Sequence, residues 1–149
     1  MKLFTVGYEG TDFARFIEVL SDAGVKTLAD VRALPLSRKR GFSKGTLAKR
    51  LAKAGIRYVH LPELGTPKPG RQAARAGRRG GFRRIYARQL KTKGAQAALA
   101  ELRHLAKRTP TCLMCFERDP AQCHRSMILH ALGARVVGRH LFPAPGPER

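Results

Sequence analysis

The chain has 149 residues, of which 30 are Lys or Arg and 10 are Asp or Glu, for a formal charge of +20 at pH 7. That length fits one domain with one substantial core, and no run of about 18 apolar residues is present to cross a membrane. A field of this sign draws polyanions, nucleic acid first among them; a merely solvated basic surface is the other meaning of the same count. Three cysteines, an odd number, argue against a disulfide framework and for reduced thiols. The first apolar stretch is too short for a signal peptide and lacks a small-residue cleavage site, so the expected location is the cytoplasm.

Leu3 to Val6 reads as a first strand. Thr11 can cap a helix whose Phe13, Phe16, Ile17 and Leu20 make one apolar stripe, and Gly24 ends it. Val25 to Val31 reads as a second strand. Arg32 to Gly41 is a loop, because Pro35 bars a helix there. Ser43 can cap a helix carrying Leu47 and Leu51, which stops at Gly55, and Ile56 to Leu61 reads as a third strand. Residues 65–84 then change in character. Gly65, Gly70, Gly77, Gly80, Gly81, Pro67 and Pro69 stand among seven basic residues, a composition that predicts an exposed, mobile excursion. Two helices follow, Phe82 to Leu90 and about Ala95 to Lys107. Thr111 to Phe116 reads as a fourth strand, with a helix from about Pro120 to Leu132 and a last strand at Ala134 to Leu141. Residues 143–149, with Pro143, Pro145 and Pro147, form a tail. Strands alternating with helices predict an α/β fold: one three-layer domain over 1–142, with a mostly parallel sheet of about five strands and helices on both faces. The pattern leaves strand order open.

In such a sheet, ligands bind outside the carboxyl ends of the strands. Tyr8 and Glu9 follow the first strand. Asp30 and Arg32 bracket the end of the second, His60 ends the third, and Glu117 follows the fourth. Glu117, Glu9 and Asp30 are therefore the candidate catalytic groups, for proton transfer or for holding a hard cation. Their plainer role is to neutralise Arg32 and Arg125, most of all for Asp30. Arg32, Arg38, His124 and Arg125 are the candidate anion binders, although Arg125 can equally brace its turn by pairing with Asp119 or Glu117. Tyr8 and His60 can orient a substrate. Cys112, Cys115, Cys123 and His124 are all possible zinc donors, but residues three apart on a strand face opposite ways, so no metal site is assigned. Cys123, expected in the first turn of a helix, is either an activated thiol or, the favoured reading, a packed one. The sequence names no cofactor.

Four blocks carry a wider likeness. They are Thr5-Val6-Gly7-Tyr8-Glu9-Gly10; Asp30-Val31-Arg32 with Pro35, Ser37, Arg38 and Gly41-Phe42-Ser43; Tyr58, His60, Leu61, Leu64 and Gly65; and Cys115-Phe116-Glu117 with Pro120 and Cys123-His124-Arg125. Together they resemble the bacterial and archaeal proteins of the domain of unknown function 488 family. The resemblance implies a single α/β domain and supplies no activity; Cys112 stands outside the family pattern. Two functions stay open. One is an enzyme acting on a phosphate-bearing substrate, a nucleotide or nucleic acid, at the carboxyl-end cleft. The other is a non-catalytic nucleic-acid-binding or accessory protein that uses its basic surface.

Overall fold

Side chains alternate between two apolar layers along each inner strand, and that alternation sets the architecture. The computed structural model describes residues 1–147. Its strands are β1 (Lys2–Gly7), β2 (Thr27–Asp30), β3 (Arg57–His60), β4 (Thr111–Cys115) and β5 (Val137–Leu141). Leu3, Ala29 and Leu113 point into one layer. Their neighbours Phe4, Leu28, Cys112 and Met114 point into the other. The second layer is roofed by α1 (Phe13–Asp22) and α2 (Lys44–Lys53), through Phe16, Leu20, Leu47 and Leu51. The first is roofed by α4 (Arg79–Leu90), α5 (Lys93–Arg108) and α6 (Arg125–Leu132), through Tyr86, Leu99, Leu102 and Ile128. Burying an aliphatic or aromatic side chain contributes about 1.5–3 kcal/mol, so these two layers supply most of the driving force.

All strand pairings are parallel, in the order β3-β2-β4-β1-β5. The expected α/β domain, with about five parallel strands and helices on both faces, is therefore the one observed. The strand order, which the sequence pattern leaves open, has a direct consequence. The chain leaves β1 through α1 on one face and leaves β4 through α6 on the other. Adjacent strands whose connections depart to opposite faces open a crevice between their carboxyl ends.

Several local expectations change. Residues 65–84 are not a structureless excursion: α3 (Lys68–Arg75) packs against α4, which begins at Arg79 rather than Phe82. A thin apolar stripe suffices, because Gly70, Ala73, Tyr86 and Leu90 are buried while Arg75, Arg79, Arg83, Arg84 and Arg88 stay outside. The cap of α1 is Asp12, whose Oδ1 accepts the Arg15 amide at 2.9 Å; Thr11 instead donates to the Ala144 carbonyl at 2.7 Å. Ser43 holds the cap position of α2 but spends its hydroxyl on Ser37, 3.2 Å from that carbonyl. The helix expected from Pro120 splits into a short 3-10 turn, Pro120–Gln122, and α6. Cys123 lies between them in extended backbone, φ −134° and ψ 178°. The tail docks: Pro143 is buried, and Gly146 donates to Gly10 at 2.8 Å. Glu148 and Arg149, the end of the expected tail, lie outside the described residues.

Candidate functional site

Since the sheet is parallel, the carboxyl ends of all five strands share one edge. Asp30 and Arg32 meet there in a buried fork. Arg32 Nε donates to Asp30 Oδ1 at 2.9 Å and Nη2 to Oδ2 at 2.8 Å. The Arg32 amide and the Tyr58 hydroxyl fill the remaining acceptor sites of that carboxylate, at 3.1 and 2.6 Å. Burial, then the carboxylate beside it, hold the Tyr58 phenol well above its ordinary range. With every acceptor occupied, Asp30 positions Arg32 and has no lone pair left for a substrate. Arg32 in turn donates to the Tyr8 hydroxyl at 3.2 Å, and Tyr8 is stacked on Phe42 with ring centroids 4.4 Å apart. His60 Nε2 donates to the Arg32 carbonyl at 2.8 Å, so His60 braces the same loop.

At the β1–β4 crevice the two backbones nearly touch. A Cβ on Gly7 would lie 1.7 Å from the Glu117 carbonyl oxygen, so only glycine fits. Glu9 donates its amide to Phe116 O at 2.8 Å and accepts the Arg118 amide on Oε1 at 3.0 Å. Its carboxylate thus fastens the loop that presents Glu117. Glu117 itself is half-buried. Its carboxylate is the one expected catalytic group that the structure leaves without a hydrogen-bond or ion-pair partner among the described residues.

Arg125 does not await an incoming anion. It is fully buried, and all its side-chain nitrogens are engaged: Nε on Cys123 Sγ at 3.0 Å, Nη1 on Thr5 Oγ1 at 3.3 Å, Nη2 on the Glu117 and Arg118 carbonyls at 2.6 and 3.2 Å. The alternative pairing with the Asp119 or Glu117 carboxylate does not form. The ion pairs among the described residues are Arg15–Asp12 and Arg32–Asp30. Thr5 passes the contact on to His140 Nδ1 at 2.5 Å. His124 is no cation either. Its Nε2 donates to the Val31 carbonyl at 2.7 Å, and burial together with the Arg125 charge pushes its pKa down to about 4. At neutral pH it is an uncharged imidazole whose free Nδ1 can only accept.

The groove that joins these residues runs under α3. One cavity, about 180 Å³, is lined by Tyr8, Arg32, Thr66, Arg71, Glu117 and His124 among others. The next, about 310 Å³, shares Thr66, Arg71, Phe116, Glu117 and His124 with it and adds Arg75, Phe82 and Cys123. A third, about 360 Å³, continues past Cys123 to Arg79, Arg83 and Met127. The cationic wall of this groove thus comes from α3 and α4, the segment whose composition predicts only an excursion. Arg38 is exposed and does not line the groove. Cys115 and Cys123 bring their sulfurs within 3.0 Å of each other, a juxtaposition that their spacing in the sequence does not signal. Cys115, Glu117 and Cys123 place donor atoms within 4.8 Å of one another, near enough for one ion. The guanidinium of Arg125 already holds the Cys123 sulfur, however, and a metal would face that fixed positive charge, so the set does not fit a cation.

A family model described as "Domain of unknown function DUF488" matches residues 12–132. No curated protein and no solved structure matches the chain.

Proposed function

The chain belongs to the domain of unknown function 488 family, and from that premise we propose that it is an enzyme that binds a phosphate-bearing substrate in the groove at the carboxyl edge of the sheet. One observation carries this reading: the Glu117 carboxylate, which has no partner among the described residues, lines two cavities together with Arg71 and one of them with Arg75 as well. Guanidinium groups on a rigid helix suit phosphate oxygens, which accept paired N–H bonds. Arg71 already gives one donor to the Thr66 carbonyl at 2.8 Å, which fixes its fork and leaves other donors for a ligand. Glu117 is the general base or acid, and Tyr8 and the neutral His124 are hydrogen-bonding groups beside it. Leu34, Leu36 and Phe116 are exposed and border the same mouth. That apolar side favours a substrate with a flat organic part, such as a nucleobase, over inorganic phosphate.

Calorimetry with nucleoside monophosphates and a turnover screen over phosphomonoesters and phosphodiesters test the proposal. Arg71→Ala weakens binding by about tenfold or more, the value of a lost charge-assisted hydrogen bond. Glu117→Gln abolishes turnover and leaves binding within about threefold, since the loss falls on a transition-state interaction. Equal affinity in Arg71→Ala and the parent would end the proposal.

The basic hairpin itself favours a second reading, non-catalytic nucleic-acid binding. Arg78 and Arg84 are exposed on it and line none of the groove cavities. Under that reading, neutralising both lowers the slope of log affinity against log salt by about 0.9 for each phosphate that is no longer neutralised, and Glu117→Gln has no effect.

A further inference from the structure

Cys123 holds three hydrogen bonds on one sulfur. The Arg125 amide reaches it at 3.3 Å, Arg125 Nε at 3.0 Å and the Cys115 thiol at 3.0 Å. A sulfur that accepts three donors is best served as a thiolate. The charge count agrees, because a buried guanidinium without an anion is strongly disfavoured and no carboxylate pairs with Arg125 among the described residues. Burial alone would raise the Cys123 thiol; the Cys115 hydrogen bond and the Arg125 charge outweigh it, and the net shift is downward. Burial and the neighbouring Cys123 push the Cys115 thiol well up, so one proton is shared asymmetrically between the pair. Cys123 also borders two of the groove cavities, which gives a small reagent access.

We propose that Cys123 and Cys115 form a reactive dithiol, in which the Cys123 thiolate attacks a hydroperoxide and Cys115 resolves the product to a disulfide. In the first step a sulfur–oxygen bond forms and the oxygen–oxygen bond breaks. The alkoxide or hydroxide leaves and takes a proton from water; the sulfur is oxidised to sulfenic acid by two electrons and the peroxide is reduced to alcohol or water. In the second, the Cys115 sulfur attacks Cys123, the sulfur–sulfur bond forms, and the sulfenic hydroxyl departs with the Cys115 proton as water. An external dithiol restores both groups by exchange. The 3.0 Å separation leaves about 1 Å for the sulfurs to close. Cys112 takes no part: its thiol is fully buried and donates to the Leu113 carbonyl at 3.5 Å rather than to either of these sulfurs.

This inference is independent of phosphate binding and is tested without any phosphate ligand. The reduced protein is treated with one equivalent of hydrogen peroxide, alkylated, digested and weighed. The expected product is a Cys115–Cys123 cross-linked peptide two hydrogens lighter than the reduced pair, with Cys112 alkylated only after unfolding. In Cys115→Ser, a variant that retains a hydroxyl donor to the Cys123 sulfur, the sulfenic acid persists and is captured by dimedone at Cys123. Iodoacetamide at pH 7 labels Cys123 at least tenfold faster than Cys112. Cross-links through Cys112, no dimedone adduct in Cys115→Ser, or a stoichiometric zinc ion in the purified protein would each overturn the proposal.

Discussion

Gly7→Ala probes the crevice most directly. Gly7 has no left-handed φ, so an alanine there suffers no backbone strain and the effect is purely steric. The added Cβ would lie 1.7 Å from the Glu117 carbonyl oxygen and 2.4 Å from its carbon. The 116–118 loop must therefore retreat by more than about 1 Å, since nonbonded carbon and oxygen settle beyond about 3 Å. That retreat pulls on three bonds: Tyr8 N–H to Cys115 O at 3.3 Å, Glu9 N–H to Phe116 O at 2.8 Å, and Arg125 Nη2 to Glu117 O at 2.6 Å. Weakened hydrogen bonds cost about 1 kcal/mol each, somewhat more for the charged one, and overpacking adds about 1–3 kcal/mol. The sum is about 4–6 kcal/mol. With a urea slope of about 2 kcal/mol/M, the unfolding midpoint falls by about 2–3 M at unchanged slope. Gly10→Ala is the control. Its Cβ would meet nothing within 4 Å but its φ is +77°, so it costs only the local strain of about 1–2 kcal/mol. If Gly7→Ala is no more destabilising than Gly10→Ala, the close approach of β1 to the Glu117 loop is refuted.

Asp30→Asn leaves the Arg32 guanidinium buried beside a neutral amide, and breaking such a pair costs about 3–5 kcal/mol; a stability change below about 1 kcal/mol in thermal or urea unfolding would show the fork to be dispensable. The imidazole of His124 imposes a pH dependence. The folded protein keeps it neutral down to about pH 4, whereas the unfolded chain protonates it near 6.5. The unfolded state therefore binds more protons in that window, and stability falls as pH drops from about 6.5 to about 4, by about 3 kcal/mol in all from this group. His124→Gln flattens that limb in urea unfolding measured across the pH range, and an unaltered slope would remove His124 as its source.

The strand pattern is readable because β1, β2 and β4 alternate short apolar runs with turn residues, and the convergence of Tyr8, Arg32 and Glu117 follows once the sheet is parallel. What composition conceals is long-range. The Gly- and Arg-rich stretch reads as unable to bury itself, yet helices form because Tyr86 and Leu90 find Leu64 and the sheet beneath them, and Ala73 is buried beside Gly81 of α4. Phe82, Tyr86 and Leu90, spaced four apart, are the sign of that stripe in the sequence. Arg125 reads as a surface anion seat because buried arginines usually sit opposite carboxylates; here its partners are backbone carbonyls, a hydroxyl and a sulfur, which no residue spacing announces. Cys123 reads as part of a helical turn, and only the extended residue after Pro120–Gln122 turns its sulfur toward Cys115.

The Thr5 hydroxyl joins Arg125 to His140 on the outermost strand, at 3.3 and 2.5 Å. Burial and then the Arg125 charge depress the His140 pKa. Whatever happens to the sulfur beneath that guanidinium alters how much of its field goes uncompensated. An oxidised sulfur pair would thus make the imidazole harder to protonate, and its proton resonances would titrate at lower pH. The rim of the sheet carries a built-in indicator for chemistry in its interior, readable by NMR with no label and no substrate.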